Sequence, residues 1–496
     1  MDADDLISRH LRALLDGLAA NPALPAPMVR RLIADRQGFG EVARRPDLTD
    51  DLVAEIVATD DEWLLHSLAL NERLPGRFRS LLAAHPDASV RSALVRHAAS
   101  APREVWERLV DDSDPEVRTS LAESADTPSD LRESLVVDPD PTVRAALAKY
   151  WTQAPEEVRR VLLTDPEEQV RSAACSTYYA RLPHPVPPAD LVPALLADPL
   201  TRAGAAVHAV LDADILRRLA ADPDSAVRAE LARHPDLPPQ VRDVLAVDRA
   251  LAVRVKVFAR PDTPEQLRAQ IHASVHRDAV SLDDSALDPD PDADDQTIRE
   301  WLDALNAPTE LRTLLLPWVA ADPLPHVDSP YVAFRASAAA AGGDLPADVV
   351  ARLLDDDEEL VRLAMANAAP HLVDPATAER IERRHQPRRD KFTSWWDRAQ
   401  VVVFPPEYLR RFATDADARL RSFAPRDPDL PAELAARLAA DPVERVRHAV
   451  APHRNLPLPS LLRLLADPAE HVAEAAAASP HLPVEHMERL LADAGL

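Results

Sequence analysis

Cysteine is almost missing: Cys175 is the only one in 496 residues. No disulfide can form within the chain, and no cysteine cluster can hold zinc or an iron–sulfur centre. Glycine is scarce, at 8 residues, which excludes collagen and a glycine-rich nucleotide fold. Aromatic residues are 4%, too few to fill a large sandwich or barrel core. Of 57 basic residues only Lys149, Lys256 and Lys391 are lysines, which leaves 54 arginines. That bias, with abundant alanine, suggests a GC-rich bacterial genome. No run approaches the roughly 18 apolar residues of a membrane-spanning helix. Residues Met1 to Leu6 lack the basic and apolar regions of a signal peptide, so a cytoplasmic location is expected.

What is present points one way. Proline is 48 of 496, about twice its usual share of roughly 5%. Hydrophobic residues are 46%, which excludes whole-chain disorder. This is the composition of many short helices punctuated by proline. The formal net charge of −26 repels a phosphate backbone, so nucleic acid is a disfavoured partner unless one face is locally basic.

The sequence repeats. Val90-Arg91, Val117-Arg118, Val143-Arg144 and Val170-Arg171 are spaced by 27, 26 and 27 residues, and Asp415, Asp441, Asp467 and Asp493 by 26 each. In one unit an Asp-Pro turn starts a first short helix, such as Val227 to Arg233. After the turn His234-Pro235-Asp236-Leu237, Pro238 opens a second helix that runs to about Leu245. Apolar residues such as Val241, Val244 and Leu245 follow helical spacing. Helices this short do not persist alone, and stacking in an array buries their stripes. The expected fold is all-α: a right-handed α-solenoid of about 16–18 two-helix repeats of about 26 residues each.

An aspartate precedes the first-helix arginine by six residues in most units: Asp112 and Arg118, Asp138 and Arg144, Asp165 and Arg171, Asp222 and Arg228, Asp441 and Arg447. Recurrence in every unit marks a structural charge ladder, because catalysis needs one copy only. This Asp-x5-Val-Arg element resembles the aspartate–arginine ladder of HEAT repeats. The short unit with Leu-Pro opening its second helix, as in Arg233-His234-Pro235-Asp236-Leu237-Pro238, resembles the leucine-rich repeat variant. The resemblance covers roughly residues 20–275 and 340–496. It implies a solenoid fold and names no activity. Members of the latter group that carry an N-terminal iron–sulfur cluster differ from this chain, which has no cysteine before Cys175. HEAT-like DNA glycosylases are similar in helical stacking alone.

The pattern breaks in four places. Residues 36–41 replace a first-helix start and read as an atypical capping unit. Residues 178–204 hold a proline-rich stretch, with Gly204 where arginine is expected, and read as a bend or long loop. Residues 278–303 carry ten acids and one base and read as a solvated, partly disordered insertion. Their alternating aspartates begin like a calcium loop, but Ala293 and Arg299 replace its glycine and closing glutamate. Residues 380–398 are the opposite, with Arg380, Arg383, Arg384, Arg388, Arg389, Lys391 and Arg398 against three acids, interleaved with Phe392, Trp395 and Trp396. Arginine and tryptophan anchor interfaces and stack on bases, or the tryptophans fill the core.

These breaks suggest three parts: a solenoid block 1–275, an acidic insertion with an irregular helical unit 276–340, and a second block 341–496 with the basic aromatic segment 380–404. No catalytic motif is present, and no cofactor or metal is expected. His97, His234 and His453 recur six residues after the arginine and read as turn residues, and Cys175 as a buried apolar side chain. The expected function is a non-enzymatic scaffold for another protein, with basic partners favoured by charge. Its expected partner-binding residues are Arg383, Arg384, Arg388, Arg389, Lys391, Trp395, Trp396 and Arg398. The alternatives are nucleic-acid binding or repair through 380–398, and an enzyme site within 278–330.

Overall fold

Proline and aspartate set the helix boundaries. The computed structural model describes residues 3–35, 39–96, 101–151, 153–175, 186–283, 295–385 and 403–496. Second helices begin directly after a proline in extended conformation, as in Arg103–Val110 after Pro102, Pro239–Leu245 after Pro238 and Leu458–Leu465 after Pro457. First helices begin after an aspartate whose side chain accepts the N–H two residues on, as at Asp114, Asp140 and Asp224. Helices of seven to ten residues follow, and the described residues contain no strand. The fold is an all-α solenoid of short paired helices.

Successive first helices pack on one another, as Ala88–Val95 does on Pro115–Glu123 and Ser225–Leu231 on Leu251–Phe258. The valine of each Val-Arg pair faces that seam: Val90, Val117, Val143, Val170, Val253 and Val446 are fully buried. The chain forms two compact units, one joining Met1–Arg132 with Val403–Leu496 and the other holding Glu133–Val402.

Both ends of the chain thus share one unit. The helix Ala3–Ala20 packs along Glu470–Ala477, with Leu14 against Ala473 and Ala477. A Cβ on Gly17 would lie 2.1 Å from the Glu474 carbonyl oxygen, so the backbones touch only because that residue is glycine. The joint repeats the stacking seen inside the array. Asn71 donates to the carbonyls of Ala43 and Arg45 (2.9 and 3.1 Å), and Arg45 to those of Ala19 and Asn21 (3.1 and 2.6 Å). Asn21 continues this row onto the last repeat, at the carbonyls of Ala477 and Ser479 (2.8 and 2.7 Å). The expected N-terminal capping unit is therefore corrected. Phe39 is fully buried ahead of a five-residue helix, Gly40–Arg44, and the first repeat is covered by the last one, while residues 36–38 lie outside the described residues.

In the second unit the repeat gives way to two long helices, Glu265–Asp283 and Asp295–Thr313. The solvated insertion expected over 278–303 is thus helical at both ends, because Ile271, Val275, Ala307 and Leu311 form buried stripes. Residues 284–294, which hold the alternating aspartates, lie outside the described residues.

Candidate interaction surface

Most ladder arginines bond both a carbonyl of their own repeat and a carboxylate of the next, as Arg144, Arg228 and Arg447 do. Arg144 donates from Nη1 to the carbonyl of Asp138, six residues back (2.7 Å), and from Nε and Nη2 to the carboxylate of Asp165 in the next repeat (2.7 and 2.9 Å). Arg228 does the same with Asp222 and Asp248, and Arg447 with Asp441 and Asp467. Arg118 bonds the Asp112 carbonyl, and Arg171 the Asp165 carbonyl and the Asp198 carboxylate. The residue six back thus gives its backbone, and the ion pair reaches forward to the next unit. Each carboxylate also accepts the N–H two residues on, as Asp165 does from Glu167 (2.9 Å) and Asp441 from Val443 (2.9 Å). The Arg144 guanidinium holds the Asp165 carboxyl below its ordinary range, and the Asp248 carboxylate raises the pKa of Arg228. Both oxygens of Asp165 are engaged in this way, so such pairs bind one repeat to the next.

At Gly204 the row shifts. A Cβ there would fall 1.6 Å from the Cys175 carbonyl oxygen, so no side chain fits. Arg202 takes over, reaching Asp222 (3.3 Å) and the Leu196 carbonyl (2.8 Å). Cys175 is buried, with its thiol pushed up to about 12 by burial, which keeps it protonated and unreactive near neutrality.

A second set of structural arginines lies in the spacing Pro-x-x-x-Arg, at Arg79, Arg159 and Arg268, and the charge-ladder reading passed over it. Arg79 is fully buried and donates to the carbonyls of Leu74, Asn71 and Glu72 (3.0, 3.2 and 3.1 Å). Arg268 bonds Arg260 and Thr263 carbonyls (3.1 and 2.8 Å) and sits over the rings of Phe334, Phe258 and Trp318 at 4.7, 5.7 and 5.8 Å. Each satisfies the carbonyls of the turn before its helix. The aromatic cluster around Arg268 is core where the long helices interrupt the repeat. His234 and His453 are likewise buried, and their Nε2 atoms meet the carbonyls of Ala209 and Asp427 one repeat back (3.0 and 2.9 Å), while His97 lies outside the described residues.

Of the expected basic site, Arg383 and Arg384 are described. Arg383 pairs with Glu379 (2.8 Å) and Arg384 with Asp355 (3.0 Å), which also takes Arg380 (3.3 Å). Arg388, Arg389, Lys391, Trp395, Trp396 and Arg398 lie outside the described residues. Beside Asp355 an open cleft of ≈ 390 Å³ is lined by Asp328, Arg335, Arg352 and Asp356. Its charges are matched, Arg352 with Asp328 (2.9 Å) and Arg335 with Asp356 (2.8 Å). Among the described residues no group of three or more His, Cys, Asp or Glu side chains could hold a metal ion. Among the described residues no helix is long and apolar enough to cross a membrane.

The solvent-facing side of the second helices is different. One residue before the ladder aspartate stand Val137 and Val247, both 76% exposed. Four before it stand Val161 and Val244, 45% and 59% exposed. In the last repeats that same position holds Arg411, Arg437, Arg463 and Arg489, all exposed. Sequence periodicity places these residues on one face but does not reveal which of them find partners.

No family model matches the chain, and no curated protein does. Among solved structures it is similar to Kap121p bound to Nup53p, at 15% identity over 95% of this chain and 55% of that one, with a TM-score of 0.27. It is also similar to the karyopherin Kap121p bound to the extreme C-terminus of the protein phosphatase Cdc14p, at 14% identity over 99% and 55%, with a TM-score of 0.21. The chain spans about half the length of these structures.

Proposed function

We propose that this protein is a non-enzymatic scaffold that binds another protein along the outer face of its second helices. The observation that carries the reading is the exposed valine set, Val137, Val161, Val244 and Val247. Solvated helix faces do not need branched apolar side chains, whereas interfaces do. Ladder charges such as those of Arg144, Arg228 and Arg447 are engaged between repeats and lie away from this face. The Leu-Pro units support the leucine-rich repeat variant kind of solenoid. The basic aromatic segment 380–404, within the block 341–496, belongs to the proposal as a second contact region, distinguished by its composition.

Affinity capture with mass spectrometry tests this on the full chain, with Val244→Glu/Val247→Glu and Arg388→Ala/Arg389→Ala/Trp395→Ala/Trp396→Ala as variants. Exposed substitutions of the first kind change stability by roughly 0.5 kcal/mol or less, and helical circular dichroism confirms folding of both. A stoichiometric protein lost from either variant is the expected result. Capture of nuclease-sensitive nucleic acid in its place, or of nothing by the intact chain, would overturn the reading.

A further inference from the structure

Two surface positions of the second helices lose their charges through one stretch of the array. They lie one and four residues before the ladder aspartate, about one turn apart on the same face. Val137 and Val161 occupy them at one end of the stretch and Val244 and Val247 at the other, all exposed. The repeats between carry exposed Ala194, Ala197 and Ala221 there, with one charged residue, Arg218. Ser134 and Thr164 are the polar members. The repeat before the stretch has Arg108 and Asp111 at these positions, both exposed. After it the long helix Glu265–Asp283 takes over. The stripe thus covers five repeats of the second unit and is bounded at both ends.

The charges beside the stripe are sorted. In a chain of net charge −26, exposed arginines find acids easily, as Arg160 does at Asp190 (2.6 Å) and Arg217 at Asp214. Asp243, four residues before Val247, is held by Arg242 (2.7 Å). Four exposed side chains take part in no hydrogen bond or ion pair among the described residues. Glu133 and Glu157 stand one turn before Val137 and Val161, and Arg218 and Arg249 stand at the Val244–Val247 end.

We propose that this stripe docks one amphipathic helix of a protein partner, laid across the five repeats with a basic end against Glu133 and Glu157 and an acidic end against Arg218 and Arg249. Packed helices lie about 8–10 Å apart. Four steps between repeats therefore span about 32–40 Å, the length of a helix of about 21–27 residues at about 1.5 Å per residue. The apolar face of such a helix covers the valines, and the alanines between them leave room for its larger side chains. The free charges fix its direction, because turning the helix round would set like charges together at both ends. A nucleic acid would meet two acids at one end and alkyl groups along the stripe, which offer its phosphates nothing. The proposal rests on the scaffold reading and names the partner's chemistry for that same helix face.

The test uses the full chain and two variants, Val161→Glu/Val244→Glu/Val247→Glu and Glu133→Gln/Glu157→Gln/Arg218→Gln/Arg249→Gln, with folding of both confirmed by helical circular dichroism. The probe is a fluorescent helical peptide of about 24 residues, with leucine along one face, glutamate beside it in the first half and lysine in the second. A control peptide of the same composition alternates the two charges, so that the general field of the chain acts equally on both. Binding is read by anisotropy. Exposed pairs are individually weak, but four together should favour the sorted peptide by about fivefold or more on the intact chain. The glutamine variant should bind both peptides alike, and the valine variant should bind each about tenfold more weakly or worse. Equal affinity of the intact chain for the two peptides would overturn the sorted docking, and unchanged binding by the valine variant would overturn the stripe. Self-association of the intact chain that the valine variant abolishes would make a second copy the occupant and overturn the partner helix. Affinity capture separates the two readings. A partner that survives the valine changes and is lost with Arg388→Ala/Arg389→Ala/Trp395→Ala/Trp396→Ala sinks the stripe and leaves the scaffold standing, whereas no partner for the intact chain sinks the scaffold.

Discussion

An arginine–aspartate pair with side chains 11% and 4% exposed, as Arg144 and Asp165 are, is stable only as a pair. Removing one partner leaves a buried charge without compensation, so Arg144→Ala should cost about 3–5 kcal/mol in denaturant unfolding. The double variant with Asp165→Ala should recover part of that loss, because the orphaned carboxylate is gone too. The same pair sets an acid response. The folded pKa of Asp165 is lowered, first by its bond from Arg144. Its contribution is therefore complete above the unfolded value of about 3.9 and lost as pH falls through the folded one. An Asp165→Asn protein should show a flatter stability profile across that window than the parent. A steeper profile would refute the assignment. The identity of both ladder members is legible in the sequence, since each recurs at a fixed offset. Which aspartate each arginine grasps is not, because the acid six residues back and the acid in the next repeat are equally regular.

At the scale of the helix the sequence is most explicit. Proline after leucine and aspartate before a Val-Arg pair mark starts through local chemistry. The expected second helix from Pro238 to Leu245 appears as Pro239–Leu245, and the expected first helix, Val227 to Arg233, as Ser225–Leu231. Asp140 caps Pro141–Tyr150 by accepting the Thr142 N–H at 2.8 Å. Asp140→Ala should lower stability by about 0.5–2 kcal/mol, with hydrogen exchange increasing first at that helix's opening turn. Unchanged exchange there would remove the cap from the account. The long helices Glu265–Asp283 and Asp295–Thr313 were hidden by acids at their ends, where charge reads as solvated chain although apolar stripes lie within them. Gly204 was visible as an irregularity, but its cause is the Cys175 backbone one repeat away.

For the molecule as a whole, the joining of its two ends is the feature with consequences. Burial raises the pKa of Asp16 against the pull of Arg12. Burial also raises that of Glu474, aided by Asp16 and Glu41 and opposed by His471. Raised carboxylates work opposite to the ladder: the charged form opposes the contact at neutral pH, and the penalty fades as pH falls through the folded pKa toward the ordinary range. Glu474→Gln should slow hydrogen exchange in Ala3–Ala20 at neutral pH, and the gain should vanish in mild acid. Asn21→Ala should act the other way at every pH, costing about 1–3 kcal/mol because the Ala477 and Ser479 carbonyls lose their donor. Equal exchange in all three proteins would mean that the joint contributes nothing to order at the N-terminus.

The sequence by itself determined what depends on short range: helix starts, the 26-residue period, the all-α class, and the residues that form the ladder. Each follows from contacts within one repeat or between adjacent repeats, so the period displays it. Tertiary structure decided what depends on distant partners. Asn21 lies 456 residues from the Ala477 carbonyl that it bonds, and no local pattern encodes that meeting. The partners of Arg463 and Arg489, Ser460 for the one and the Glu485 carbonyl and His486 for the other, are likewise decided in the fold. The recurrence of these arginines is written in the chain, but whether an acid reaches them depends on how neighbouring helices turn their side chains. Glu485 has the spacing of an ion-pair partner for Arg489 in sequence, yet in the fold it meets that arginine through its backbone carbonyl (3.3 Å).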